Sequence, residues 1–359
     1  MGLFRAPTRD QYQMRSTLIL AAIGAAFHCL PAHAQKLPQL QFQHHDWELA
    51  CDNTRTCRAA GYHAEVGDYL PVSVLLERKA GAGEPITATL QLGETRDDAP
   101  AADSLLMLVE GREVGDVVLE GGSGVLSSRQ TAALLKGISG TAKVAWRAHG
   151  QIWILSGKGA SAVLLKMDEF QGRLDTPGAA IRKGGRTERG VLPPLAKPVV
   201  DVPAVPTGEL PPLAGEEKRL LLATLRKTGG SEDCGDLEAI ATGEEEFHYA
   251  PLDGKRMLVS ARCWRGAYNE GHGYWVVNRK PPFAPTMVTE SGTDYAQGFI
   301  GASHKGRGIG DCWGSNGWAW DGRRFVHTDA ATTGMCREIA AGGAWNLPTL
   351  VSEVRQAGK

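Results

Sequence analysis

The sequence predicts an α+β protein, mainly β, with two antiparallel-sheet domains that carry a few packed helices and are joined by a proline-rich linker. Three observations lead there. Glycine (45) and proline (19) are abundant among the 359 residues, which calls for many turns. Short runs alternate apolar and polar residues with period two, the mark of half-buried strands. Residues 191–215, VLPPLAKPVVDVPAVPTGELPPLAG, hold seven prolines, an extended semi-rigid spacer between a domain over 35–190 and one over 216–359.

The chain opens with an address. In RSTLILAAIGAAFHCLPAHAQ (15–35), Arg15 supplies positive charge and Leu18 to Phe27 form an apolar run. Ala32-His33-Ala34 is a small-x-small cleavage site before Gln35. A signal peptide over 1–34 is expected, with the chain starting at Met1 or Met14. The apolar run is half of the roughly 20 residues that a bilayer crossing needs, so no anchor is expected. Ala26-Phe27-His28 argues against a lipid on Cys29, because a lipobox wants small residues there. Cleavage near Ala34 removes three basic residues and one acidic residue, so net charge moves from −1 to −3. A periplasmic location follows as the expectation, without a membrane span in the mature chain. Near-neutral charge excludes a general nucleic-acid surface.

In the first domain, strands are expected at 47–50, running into Cys51, and at 72–77 and 86–90. Leu105–Val109 and Val114–Leu119 flank Glu110-Gly111-Arg112-Glu113 as a hairpin, and 142–148 and 151–155 flank His149-Gly150 as another. Ser127-Ser128 offers a cap to a helix at 131–137, and Ser161 to a helix at 162–171 whose Val163, Leu164, Met167 and Phe170 share a face. In the second domain a helix over 216–228 starts with Glu216-Glu217, which suits its positive end. A short helix is expected at 237–241 and strands at 257–263 and 273–278. The segment 318–327 reads as a hairpin with an Asp321-Gly322 turn.

Six cysteines remain after the leader: Cys51, Cys57, Cys234, Cys263, Cys312 and Cys336. An even count in an exported chain implies a disulfide framework. Of the 15 pairings, local ones are simplest: Cys51–Cys57, Cys234–Cys263 and Cys312–Cys336. Loop entropy gives about 2.4 kcal/mol for the first and about 3.5 kcal/mol for each of the others. No C-x-x-C motif is present to suggest a redox enzyme.

Aromatic and polar residues concentrate over 263–321. Trp264, Tyr268, Trp275, Arg307, Asp311, Trp318 and Trp320 are the candidate ligand-binding residues, since flat rings cover apolar C–H surface while Asp and Arg bond hydroxyls or carboxylates. The competing reading is core. In HGYWVV and GWAWDG alternate side chains point to opposite faces, so about half should be buried. Gly306-Arg307-Gly308-Ile309-Gly310-Asp311 lacks the strand–helix context of a nucleotide loop and reads as a turn with glycines at positive φ. Arg307 could pair with Asp311 or with a ligand carboxylate. His44, His45, His272, His304 and His327 show no metal spacing, so no metal or other cofactor is expected. No catalytic residue is assigned; Glu270, Asp311 and Asp321 are the carboxylates a hydrolase could draw on. The polar loop Asp52 to Thr56 is either a binding tip or a set of turn formers.

DWELACDNTRTCRAAGY (46–62), SGKGASAVLLKMDEFQGRL (156–174), CWRGAYN (263–269), KGRGIGDC (305–312), WAWDGRRF (318–325) and Cys336-Arg337 together resemble the domain of unknown function 1176 family, exported proteins of Gram-negative bacteria. The likeness spans nearly all of the mature chain and implies a periplasmic location and disulfides, with no catalytic residue. The N-terminal half is also similar to invasion-associated locus B proteins. The expected role is a non-catalytic cell-envelope protein that binds a glycan, peptide or protein. The alternatives are an envelope hydrolase with paired carboxylates, such as Glu270 and Asp311, and a host-interaction factor.

Overall fold

In the computed structural model, residues 38–93, 102–228 and 234–357 are described. The expected leader and its expected cleavage site lie outside the described residues. Among those described, strands dominate: there are 21, with four α-helices.

The first half opens with β1 (Leu40–His44), β2 (Trp47–Cys51), β3 (Cys57–Tyr62), β4 (Val72–Arg78) and β5 (Thr87–Leu92), a continuous antiparallel meander. Next come β6 (Ser104–Val109), β7 (Arg112–Val118) and β8 (Ser123–Val125), the last closing the edge of the first sheet beside β5. α1 (Ser128–Ile138) is followed by β9 (Val144–Ala148), β10 (Gln151–Leu155) and α2 (Ala160–Phe170). The sheets are β1-β2-β3-β4-β5-β8 and β10-β9-β6-β7. Trp47, Leu76, Leu90, Leu105, Trp146, Leu164 and Met167 from both sheets and α2 share one core, as the apolar face of 162–171 requires.

Local chemistry explains most boundaries. Ser127 caps α1 by a capping box with Gln130, so the helix begins three residues before the expected start. α2 starts after Gly159 at φ 95° rather than at a Ser161 cap. A Cβ on Gly159 would fall against the His44 carbonyl, so glycine is needed there for both space and φ. The hairpin expected across 110–113 turns on two residues only. Glu110 and Gly111 have φ 52° and 72°, a mirror-image turn whose twist matches its strands. His149-Gly150 does the same at φ 47° and 76°.

The proline-rich segment is anchored along its length. Leu192 and Leu195 donate N–H groups to the Gln171 and Thr54 carbonyls, and Leu210 donates to Tyr249. Its β11 (Val199–Val202) pairs in parallel with Glu353–Gln356.

The second half begins with α3 (Gly215–Leu225), whose Glu216 and Glu217 lie in the first turn as expected, and α4 (Leu237–Thr242). These pack on a sheet of β12 (His248–Pro251), β13 (Arg256–Arg265), β14 (Glu270–Asn278) and β15 (Thr286–Gly292). A second sheet follows: β16 (Asp294–Ala296), β17 (Phe299–Lys305), β18 (Trp313–Trp320), β19 (Phe325–Thr332) and β20 (Leu347–Leu350). β21 (Glu353–Gln356) ends the fold. The β18–β19 turn is a four-residue loop, 321–324, not a two-residue Asp-Gly turn. Asp321 Oδ1 accepts the N–H groups of Arg323 and Arg324 at 2.7 and 2.8 Å.

Three disulfides close, Cys51–Cys57, Cys234–Cys263 and Cys312–Cys336, each within one half. Residues 37–359 nevertheless form one compact unit. Ala50, Ala60 and Tyr62 of the first half pack with Ile339 and Leu347 of the second in a shared apolar cluster. No helix among the described residues is long and apolar enough to cross a membrane.

Candidate functional site

Where the halves meet, a cleft of about 420 Å³ opens between three loops. The first half supplies 63–71, between β3 and β4, with His63, Glu65, Asp68 and Tyr69. The second supplies Arg307, from the loop before β18, and Cys336, Arg337 and Glu338, from the long connection between β19 and β20.

The floor is a buried polar network that crosses the halves. Arg337 Nη2 donates to Asp46 Oδ1 at 3.0 Å, and both side chains are buried. Asp46 Oδ2 accepts Ser156 Oγ at 2.6 Å. Beside it Glu48 Oε1 accepts both Tyr62 Oη and the Met335 N–H at 2.7 Å. Burial pushes the Glu48 carboxyl above its ordinary value, against the lowering effect of those bonds. Burial and the neighbouring Glu48 push Tyr62 up as well, so it stays a neutral donor. A Cβ on Gly334, at φ 96°, would come within 2.2 Å of Tyr62 Oη, so only glycine lets the second half approach this closely.

The rim is different. Arg307 forms a two-pronged pair with Asp311, Nε–Oδ1 2.8 Å and Nη2–Oδ2 2.5 Å, and Asp311 Oδ2 also accepts the Glu338 N–H at 2.7 Å. The Arg307 bond holds Asp311 below the usual carboxylate value. Each arginine also meets a rim glutamate, Arg307 Nη2 with Glu338 Oε1 and Arg337 Nη2 with Glu65 Oε2, both at 3.5 Å. Carboxylates nevertheless outnumber these two guanidiniums, with Asp68 exposed outside the arginine pairs, and the face is acidic. Burial lowers the His63 pKa, which keeps that ring neutral at pH 7. Tyr69 is 40% exposed, and Arg337 Nη1 is buried without an acceptor.

The seven sequence candidates divide. Arg307 and Asp311 come together as a pair, and Tyr268, 48% exposed, reaches the same loop with its hydroxyl 3.4 Å from the Gly306 carbonyl. Trp264 is half-buried beside the His304 ring, centroids 5.2 Å apart. Trp318 stacks on His327 at 5.0 Å, about 17 Å along β18 from its start. Trp275 and Trp320 are fully buried core residues, as strand alternation allowed, and present no surface to a ligand. The loop 52–56 is not a free tip. Asn53 is buried and exchanges hydrogen bonds with the Val351 backbone at 2.7 and 3.0 Å, and Arg55 Nη1 donates to the Pro193 carbonyl. Within 306–311 positive φ occurs at Gly310 alone, and Gly306 is required instead by the Cys312 and Cys336 sulfurs beside it.

Acid–base chemistry by Glu270 and Asp311 finds no support in this geometry. Glu270 is exposed and paired with Arg265 at 3.0 Å, while Asp311 is locked to Arg307. A metal fares no better at Asp311, Cys312 and Cys336, whose potential ligand atoms lie within 4.8 Å of one another, because both sulfurs are spent in the disulfide. Sequence reasoning did not place Asp46, Glu48, Glu65, Tyr69 or Glu338 in a site. Asp46, Glu48 and Arg337 stand in segments that carried the family resemblance, which was the one signal available.

A family model described as "Protein of unknown function (DUF1176)" matches residues 41–352, so the chain belongs to that family. It is similar to the uncharacterized protein YpfG of Escherichia coli (strain K12), 26% identical over 333 residues, covering 85% of this chain and 90% of that protein. No solved structure matches. The likeness to invasion-associated locus B proteins receives no support from these matches.

Proposed function

We propose that this chain is an exported, non-catalytic protein of the periplasm whose interhalf cleft binds a basic peptide segment of an envelope partner. The supporting observation is the pairing of an acidic rim with an unfilled donor. Asp68, flanked by Glu65 and Glu338 in their long 3.5 Å arginine pairs, suits a lysine side chain or a free amine, and Tyr69 offers a ring face to the same cation. Arg337 Nη1 suits a backbone carbonyl. Export is supported by the leader pattern and by the three bridges, which an oxidising compartment maintains.

The test is calorimetric titration of the mature protein with an oligolysine peptide. Saturable binding that weakens with added salt is expected. Asp68→Lys, at an exposed position, should weaken it about tenfold, roughly 1.4 kcal/mol, with the melting temperature unchanged. Equal binding after charge reversal, or by the lysine-acetylated peptide, overturns the reading.

A further inference from the structure

A cavity of about 700 Å³ lies wholly within the first half, remote in sequence from the cleft residues of the second. It is bounded by α1, by the residues before β5 and by the loop 177–183. Its lining mixes apolar Ile86, Ala132, Leu135, Ala179 and Ile181 with the hydroxyls of Ser128, Thr131 and Ser139 and with charged groups. Lys136 and Lys183 are exposed beside it, as is one opposing carboxylate, Glu84, and the buried Arg78 and Arg173 lie beneath.

The loop wall is fastened in an expensive way. Asp168, fully buried, accepts the Ala180 N–H at 2.9 Å and the Ile181 N–H at 3.1 Å, and pairs with the equally buried Arg78 at 2.6 Å. Arg78 Nη1 in turn donates to the Gly178 carbonyl at 3.2 Å. A buried ion pair adds little net stability for the desolvation it costs. Here it holds one cavity wall in a fixed shape.

Arg173 is the second observation. It is 0% exposed, with Nε on Gln171 Oε1 at 3.3 Å and Nη2 on the Gly81 carbonyl. Its Nη1 has no hydrogen-bond partner. The nearby carboxylate is Glu188, whose Oε1 stands 3.9 Å away while Oε2 is taken by the Gly83 N–H at 2.7 Å. The Glu188 carboxylate rests over Gly178, where a Cβ would come within 2.1 Å of it. The protein's own side chain thus marks a place for a carboxylate between a bare glycine and the Arg173 Nη1, the one nitrogen of that guanidinium without a hydrogen bond.

We propose that this cavity is a binding site for an organic acid with an apolar body. Its carboxylate takes Arg173 Nη1 as Glu188 swings aside, its body lies against Ile86, Leu135 and Ile181, and Lys136 and Lys183 favour the negative charge at the mouth. Apolar side chains for the body beside fixed polar groups for the head are what a small amphipathic ligand needs.

Titrating the mature protein with decanoate, decan-1-ol and decylamine tests this. Saturable binding of decanoate is expected, at least about tenfold tighter than that of the alcohol or the amine, with 2-naphthoate as the arm that tells a flat ring from an alkyl chain. Ala132→Trp, at an exposed position of α1 facing the cavity, should abolish binding and leave the melting temperature near that of the parent. Lys136→Glu with Lys183→Glu, both at exposed positions, should weaken it. Absence of saturable decanoate and naphthoate binding, equal binding by the alcohol, or binding that survives Ala132→Trp overturns the proposal.

Discussion

Arg337 and Asp46 are 291 residues apart in sequence and 3.0 Å apart in space. Truncating Arg337 to alanine leaves a buried carboxylate with Ser156 as its remaining side-chain partner. A loss of about 3–5 kcal/mol is expected by urea denaturation, while the double change Arg337→Met with Asp46→Leu should recover most of it. Two carboxylates nearby give pH dependences of opposite sign. Glu48, raised by burial above 4.5, holds a proton in the folded state that the unfolded chain has already lost, so its contribution falls as pH climbs from 4.5 through the folded value. Glu48→Gln, which keeps an acceptor for Tyr62, should flatten that part of the stability profile. Asp311, lowered by Arg307, contributes fully above 3.8 and loses its contribution as pH falls through the folded value, so Asp311→Asn should flatten the acid limb below 3.8. The Arg307–Asp311 pair was legible because its partners are four residues apart on one glycine-bearing loop. Arg337 with Asp46, and Tyr62 with Glu48 and Met335, were not, since no local pattern encodes which distant strands meet.

Strands announced by alternation and by turn dipeptides were readable in sequence, β6 with β7 and β9 with β10 above all. β3 was not. Its CRAAGY is buried or nearly so throughout, and small residues covered on both faces carry no period-two signal. Gly61 in that strand lies opposite Trp47, and a Cβ there would sit 2.3 Å from the indole, whose Nε1 is tied to the Ser156 carbonyl at 2.7 Å. Gly61→Ala should therefore cost about 1–3 kcal/mol by overpacking, read as a lower denaturation midpoint. Ser127→Ala removes the α1 capping box and should cost about 1 kcal/mol.

Each half carries its own sheets, yet contacts that join them are buried: the Ala50–Tyr62–Ile339–Leu347 cluster, the Trp345 Nε1 bond to Ser73 Oγ at 2.7 Å, and the Asn53–Val351 pair. Equilibrium unfolding followed by tryptophan fluorescence and by circular dichroism should accordingly give coincident single transitions. Replacing Cys312 and Cys336 together by serine should lower stability by about 3.5 kcal/mol through the loop of 24 residues. The disulfides could be paired from sequence because each bridge stays within one half, whereas the seam between the halves has no counterpart in spacing or composition.

The parallel ladder between Val199–Val202 and Glu353–Gln356 ties the middle of the polypeptide to its tail. A nascent chain delivered N-terminus first can thus fold its opening meander early. It must wait for Glu353–Gln356 before this clasp can shut, and a protease that cuts ahead of Glu353 would reopen it.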